Sequence, residues 1–362
     1  MAKSLDHDAP LKLRIRRILY TQGYWSSLEV DLSEYNVVDK FNVKRVSLTD
    51  LDVLGIRYDS MFSQTKVVAD CKSGRNFSEV ERLFWLNGVK EYFQANEAYF
   101  VHPRIQKHAK IIANKLSLRT LDEAALSHLE KTLRIENQLL PIVDLKIYQE
   151  ISHLWGIKVL KGDKLSLEQL KIKEVFNYLS YNYWYTEQYR NVFSIIDRFR
   201  KVAHLLSPSD PSHQLLCYIG AERFTHCLME AARYIVSYGV EDIAQAARIY
   251  FYGGVLSLRE RERFFQLLKQ TTGSREELQP FYWPEILELL WRIIKNSIDS
   301  IDILRHLFAI HLFCAYLKQP DLSQAGLPKN NTATIVLAKD CAFAFAKISG
   351  FSPEMFAALE PL

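Results

Sequence analysis

A change of hydrophobic period near residue 135 divides this chain. Before it, apolar and polar residues alternate over short runs: "YWSSLEVDLS" (Tyr24–Ser33), "KRVSLTDLDVLGIRYD" (Lys44–Asp59) and "TKVVADCKS" (Thr65–Ser73). A period of two places alternate side chains on one face of a strand. Tight polar turns separate the runs, which predicts an antiparallel three-strand meander. Beyond residue 145 the period becomes helical over stretches too long for strands. These cover residues 166–206, 212–239, 241–254, 258–271, 283–297 and 300–319. Breakers fall between them at "SPSDPS", "GG", "TTGSRE" and "QPF", and no repeat of fixed period is present.

The first part holds further elements. "LKLRIRRILYTQ" (Leu11–Gln22) reads as a helix stopped by Gly23, and Phe77–Gln94 as a helix with Ser78 as N-cap and Glu81 three residues on. A short strand over Ala98–Pro103, a helix over Arg104–Leu116, a strand over Ser117–Leu121 and a helix over Asp122–Ile135 follow. The fold class is therefore an α/β domain over residues 1–140, followed by a larger all-α domain over residues 145–362. Pro141 punctuates the join, and Pro328–Thr334 reads as a loop.

Composition narrows the class. Hydrophobic residues make up 48% of the chain, enough for a packed core and too many for a disordered one. The formal net charge of +4 lies in residues 1–135, which carry 21 Lys/Arg against 17 Asp/Glu, while the remainder is balanced. Five cysteines without paired spacing argue against a secreted disulfide framework and fit a reducing cytoplasm. "MAKSLDHDAP" lacks the apolar segment of a signal peptide. The apolar run His306–Leu317 is too short to span a bilayer and reads as a buried helix, so no membrane partner is expected.

The chemistry concentrates in "VVADCKSG" (Val67–Gly74). Asp70 and Lys72 are two apart and share a strand face, while Cys71 points the other way. Asp50 and Asp52 stand two apart on the preceding strand. Carboxylates brought together from neighbouring strands repel unless a cation lies between them. Mg²⁺ suits that place, because it takes oxygen ligands and binds phosphate oxygens. A lysine beside it can orient or deprotonate a water for attack on phosphorus. An isolated Asp-x-Lys is ordinarily a solvent-facing strand pair. The apolar "VVA" before it and the acids on the strand before that favour a site.

In element order and spacing, "GYWSSLEVDL", "LTDLDVLGI" and "VVADCKSG" resemble the PD-(D/E)xK nuclease superfamily, the restriction-endonuclease-like fold. "AKIIANKLSLRTLDEAALSHL" is similar to its closing helix–strand–helix. The resemblance covers residues 1–135 and implies a Mg²⁺-dependent endodeoxyribonuclease, with Mn²⁺ as a substitute, acting on DNA in a restriction-like or defence role. It implies Asp52 and Asp70 as metal carboxylates, the Cys71 backbone carbonyl as a further ligand and Lys72 as the catalytic lysine. Asp52 is preferred to Asp50 because it precedes Val53 in the apolar run, and the family's usual form is a polar residue, an apolar one, then the essential acid. Many members carry a glutamate on the first helix. This chain has none there; Asp8 lies just before that helix and Glu29 on the first strand.

Lys12, Arg14, Arg16 and Arg17 on the first helix, with Arg75, form a basic group that could meet phosphates, although such residues are more often a solvated face. The aromatic tract Tyr178–Tyr189 could stack on bases but is more often core. His311 with Cys314, and the stretch Ala221–Cys227, read as core rather than as zinc sites. No Gly-rich phosphate loop, HExxH or GxSxG occurs, so nothing marks an NTPase motor, a zinc protease or a serine hydrolase. The helical part is expected to supply substrate choice, a homodimer contact or a protein-partner surface. The alternative to an enzyme is a catalytically inactive nuclease-fold scaffold whose helical domain binds a protein or nucleic-acid partner.

Overall fold

The structure is a computed structural model. It describes residues 7–39, 42–74, 77–135, 145–151, 166–239, 242–273, 278–318, 322, 325, 327 and 332–362, to which every statement below is confined. Arg75, Pro141 and the proposed join lie outside the described residues. The chain divides into two compact units. One comprises Met1–Tyr58, Gln64–Asp163 and Leu312–Lys329, and the other Asp59–Ser63, Lys164–His311 and Asn330–Leu362.

The first unit is built on a five-stranded sheet in the order β1-β2-β3-β4-β5. The elements are α1 (Ala9–Thr21), β1 (Trp25–Asp39), β2 (Asn42–Tyr58), β3 (Gln64–Cys71), α2 (Glu79–Tyr92), β4 (Glu97–Val101), α3 (Lys107–Lys115), β5 (Arg119–Leu121) and α4 (Glu123–Thr132). Strands β1, β2 and β3 are antiparallel, and β4 and β5 add in parallel. The sheet is thus mixed and flanked by helices, as the resemblance to the restriction-endonuclease-like fold implies. Strands β1 and β2 run further than the alternation suggests. Their ladder continues to Asp39 and Asn42, past a register shift at Leu32/Ser33, because backbone pairing persists where the side-chain pattern has lapsed.

Strand β2 is buried on both faces. Leu51, Val53, Leu54 and Ile56 are all core residues, which is why "LDVLGI" reads as a near-continuous apolar run. Val53, Val67, Ala69 and Cys71 face one core together with Leu11, Ile15, Ile18 and Leu19 of α1 and Leu126 of α4. Each such side chain contributes roughly 1.5–3 kcal/mol on full burial. A Cβ at Gly55 would stand 3.0 Å from Leu19 Cδ1, so α1 crosses β2 where the strand has no side chain. The other end of α1 lies beside the end of β3, where Asp8 meets Ser73. The Ser78 side chain caps α2, accepting from the Glu81 amide, and Asp122 caps α4.

The second unit is helical among the described residues. Its elements are α6 (Leu167–Asn177), a π turn at Tyr178–Asn182, α7 (Tyr183–Tyr185), α8 (Gln188–Val202), α9 (Pro211–Tyr238), α10 (Ile243–Phe251), α11 (Val255–Thr272), α12 (Trp283–Lys295), α13 (Ser297–Ser300), α14 (Ile303–Ile310) and α15 (Thr332–Ser349). A further helical turn, α5, spans residues 145–151 of the first unit. Helix α9 is buried on nearly all sides, from Leu215 through Phe224 to Ala232, as a central helix must be. It packs against α8, α10, α12, α14 and α15.

Two expectations change here. The helical pattern over 166–206 is broken at Thr186, which is extended, and Asn191 Nδ2 donates to the Tyr183 carbonyl at that break. Thr332–Thr334, read as loop, begin the 18-residue helix α15. Its buried positions include Ala338, Cys341, Ala342 and Ala346, small residues that give weak hydrophobic contrast in a sequence. The run from His306 does form a buried helix, α14, which passes into a π turn at His311–Tyr316. The aromatic tract contributes Tyr178, Leu179, Tyr183 and Trp184 to the core. No described helix is long and apolar enough to cross a membrane.

Candidate active site

The β2–β3 register pairs Val53 with Ala69, so Asp52 and Asp70 follow as the next opposed pair and face the same side of the sheet. Both are buried: Asp52 is 3% and Asp70 2% exposed. One Asp52 oxygen, Oδ2, accepts from the Cys71 amide at 2.7 Å. The Lys72 ammonium stands 3.4 Å from that oxygen and 3.7 Å from Asp70 Oδ1. The structure thus brings Asp52, Asp70 and Lys72 to one place.

The segment after β3 is tied down on three sides. The Lys72 amide donates to the Val101 carbonyl at 2.9 Å, continuing the ladder to β4. The Ser73 amide and hydroxyl both donate to Asp8 Oδ1, at 2.7 and 2.6 Å. Asp8 is the N-cap residue of α1, yet its side chain makes no cap bond and reaches Ser73 instead. The buried ring of His102 lies 2.9 Å from the Gly74 carbonyl through Nε2.

Three further groups complete the site. Arg82, on the first turns of α2, grips Asp70 with both sides of its fork: Nε to Oδ2 at 2.7 Å and an η nitrogen to Oδ1 at 2.6 Å. Its guanidinium lies 3.7 Å above the Trp85 ring. Lys12 is only 5% exposed and reaches Asp52 Oδ1 at 3.0 Å, while also donating to Glu29. Glu29 has a left-handed backbone, φ +55, in the middle of β1. It lies opposite Asp52, between the pairs Leu28–Val53 and Val30–Leu51. Ligand oxygens of Glu29, Asp50 and Asp52 all lie within 4.8 Å of one another.

Electrostatics follow from this packing. Burial alone would lower the Lys72 pKa, but Asp52 and Asp70 outweigh it and the net direction is up, which favours the ammonium. Lys12 is shifted the same way: burial opposes its charge, and Asp52 and Glu29 more than restore it. Burial pushes the Asp70 carboxyl up against the opposing pull of Arg82 and Lys72. Burial pushes the Cys71 thiol up, so no reactive thiolate is present there.

The basic group of α1 is engaged within the unit. Lys12 serves Asp52, Arg14 bonds Glu123 and Glu130 of α4, Arg16 donates to Ser26, and Arg17 donates to the Ile135 carbonyl. Sequence reading missed Arg82 and Lys12 as partners of the acids, and Asp8 as the partner of Ser73 and Lys72. Arg82 reads there as one polar residue of an amphipathic helix. Its spacing to Trp85 is the one available signal, since residues three apart meet on a helix. In the second unit, His311 stacks on Tyr218 and lies beside Glu222, and His226 meets the Tyr183 hydroxyl.

The donor set, buried carboxylate oxygens on adjacent strands, is the hard-oxygen kind that suits a divalent cation such as Mg²⁺. Its type fits. Its present charge partners are Lys12, Lys72 and Arg82, so an ion at Asp52 and Asp70 exchanges with side-chain cations already there. No protein-family model, no curated protein and no solved structure matches this chain.

Proposed function

We propose that the protein is a metal-dependent nuclease that hydrolyses DNA phosphodiester bonds, with the first unit as a restriction-endonuclease-like catalytic domain. One observation carries the reading: Asp52 and Asp70 oppose each other on β2 and β3 with the Lys72 ammonium within 3.7 Å of both. Asp52 and Asp70 would hold the ion, with the Cys71 carbonyl as a further ligand. A bound Mg²⁺ supplies Lewis-acid polarisation of a phosphoryl oxygen and an acidified water.

This chain's residues do the rest. Lys72, held as an ammonium by Asp52, Asp70 and Asp8, donates to the attacking water or to the phosphate oxygen rather than serving as a base. Asp8 and His102 hold Ser73 and Gly74, and so fix the backbone from which Lys72 projects. The expected assay result is nicking of supercoiled plasmid with Mg²⁺ or Mn²⁺ by the parent protein, and none by Asp70→Ala or Lys72→Ala. Equal nicking by all three, or no nicking with either ion, would refute the reading.

A second reading has its own support. Every carboxylate oxygen described at Asp52 and Asp70 already meets a cation or an amide, as in a scaffold held by an ion-pair network. A protein that binds neither Mg²⁺ nor Mn²⁺, and loses stability without losing any activity in Asp70→Ala, would be that scaffold.

A further inference from the structure

We propose that Arg82 is a phosphate-binding residue released by the cation: a divalent ion and the Arg82 guanidinium compete for Asp70, and the displaced guanidinium binds the DNA phosphate. The inference rests on the nuclease reading above and names the regulation of the same site.

The argument begins with the fork. Arg82 uses Nε and an η nitrogen on the two oxygens of Asp70 at once, at 2.7 and 2.6 Å. Asp70 is 2% exposed, so its ion pair has little competition from water. Lys72, at 3.7 Å, is too far from Asp70 for a hydrogen bond of comparable strength. An ion that takes an Asp70 oxygen would share it with an arm of Arg82. A guanidinium and a divalent ion on the same buried oxygens repel each other, which drives the arm away.

The released guanidinium has a resting place. Trp85, one turn along α2, holds its face at 3.7 Å. Its side chain is 26% exposed, so the fork can turn outward from the acid without a change in α2. A planar fork that fits a carboxylate bidentately also fits a phosphate bidentately. A phosphodiester brought to the ion would meet a guanidinium that has just lost its carboxylate. Lysine at this position would lack the fork. Coupling between cation and DNA follows: each strengthens the binding of the other, by reciprocity.

The test uses the full chain and two probes, Mn²⁺ alone by calorimetry and a labelled duplex by fluorescence anisotropy with and without Ca²⁺. Arg82→Gln is expected to bind Mn²⁺ about tenfold tighter than the parent, since a charge-assisted competitor is gone. The Ca²⁺-dependent gain in duplex affinity is expected to fall by about tenfold in the same variant. Arg82→Lys, which keeps the charge and covers the case in which Arg82→Gln does not fold, is expected to shift both quantities in the same directions by less. Unchanged Mn²⁺ affinity in either folded variant, or an undiminished gain with Ca²⁺, overturns the inference and leaves the nuclease reading standing. A parent protein that binds no divalent ion overturns both.

Discussion

Asp52→Asn separates the ion-pair network from ordinary polar surface. The substitution keeps shape and removes one charge. In the structure Asp52 faces Lys12 at 3.0 Å and Lys72 at 3.4 Å, and Lys12 is 5% exposed. Removing one member of a buried pair costs roughly 3–5 kcal/mol, because the other charge stays buried. Lys12 retains Glu29, whose side chain is 45% exposed and therefore a weaker partner. The expected loss therefore falls below that range, at about 2–3 kcal/mol. Lys12→Met in the same background removes the stranded charge and keeps the buried stem. The double variant should recover most of the loss, giving a coupling energy of about 2 kcal/mol. With two units in the chain, a single unfolding curve is not the right assay. Urea-dependent hydrogen exchange of peptides from β2 and β3 reports the first unit alone. A loss below about 0.5 kcal/mol, or additive effects, would show that the network is solvated and the reasoning wrong.

Further predictions follow from single contacts. A ¹³C titration of the Lys72 side chain should give a midpoint above the ordinary 10.5, because its carboxylates outweigh burial. The raised value means its stabilising contribution is complete below pH 10.5 and is lost as pH rises through the folded midpoint, and a midpoint at or below 10.5 contradicts this. Asp8→Ala removes two bonds to Ser73 and an ion pair with Lys72 without uncapping α1, so a stability loss of about 1 kcal/mol is expected, and slower nicking if the protein is the proposed nuclease. A nicking rate equal to the parent's would show that Asp8 does not position Lys72. Gly220→Ala puts a methyl 2.5 Å from Phe199 Cζ and 2.9 Å from Phe345 Cε1, both rings fully buried. The gain in helix propensity is about 1 kcal/mol and overpacking costs about 1–3, so urea-dependent hydrogen exchange of peptides from α9 should show net destabilisation of the helical unit. A more stable Gly220→Ala would mean that these rings can move aside.

The sequence by itself determined the periods, and with them the elements. Alternation in "TKVVADCKS", the Ser78 cap and the glycine after α1 are local properties, so β3, α2 and α1 stand within a few residues of their predicted bounds. It also determined that Asp70 and Lys72 share a face, because that follows from a period of two. Long-range pairing decided the rest. The β2–β3 register sets Asp52 rather than Asp50 opposite Asp70. Helix α15 escaped notice because its buried alanines carry little contrast until they meet a neighbouring helix. Above all, tertiary structure turned residues that look solvated into the inner partners of the acids. Lys12 lies 17 positions from Glu29, and Arg82 lies 12 from Asp70. A charged side chain on a helix face has no period that tells solvent from carboxylate. Only the closure of α1 and α2 over the ends of β2 and β3 chooses between them.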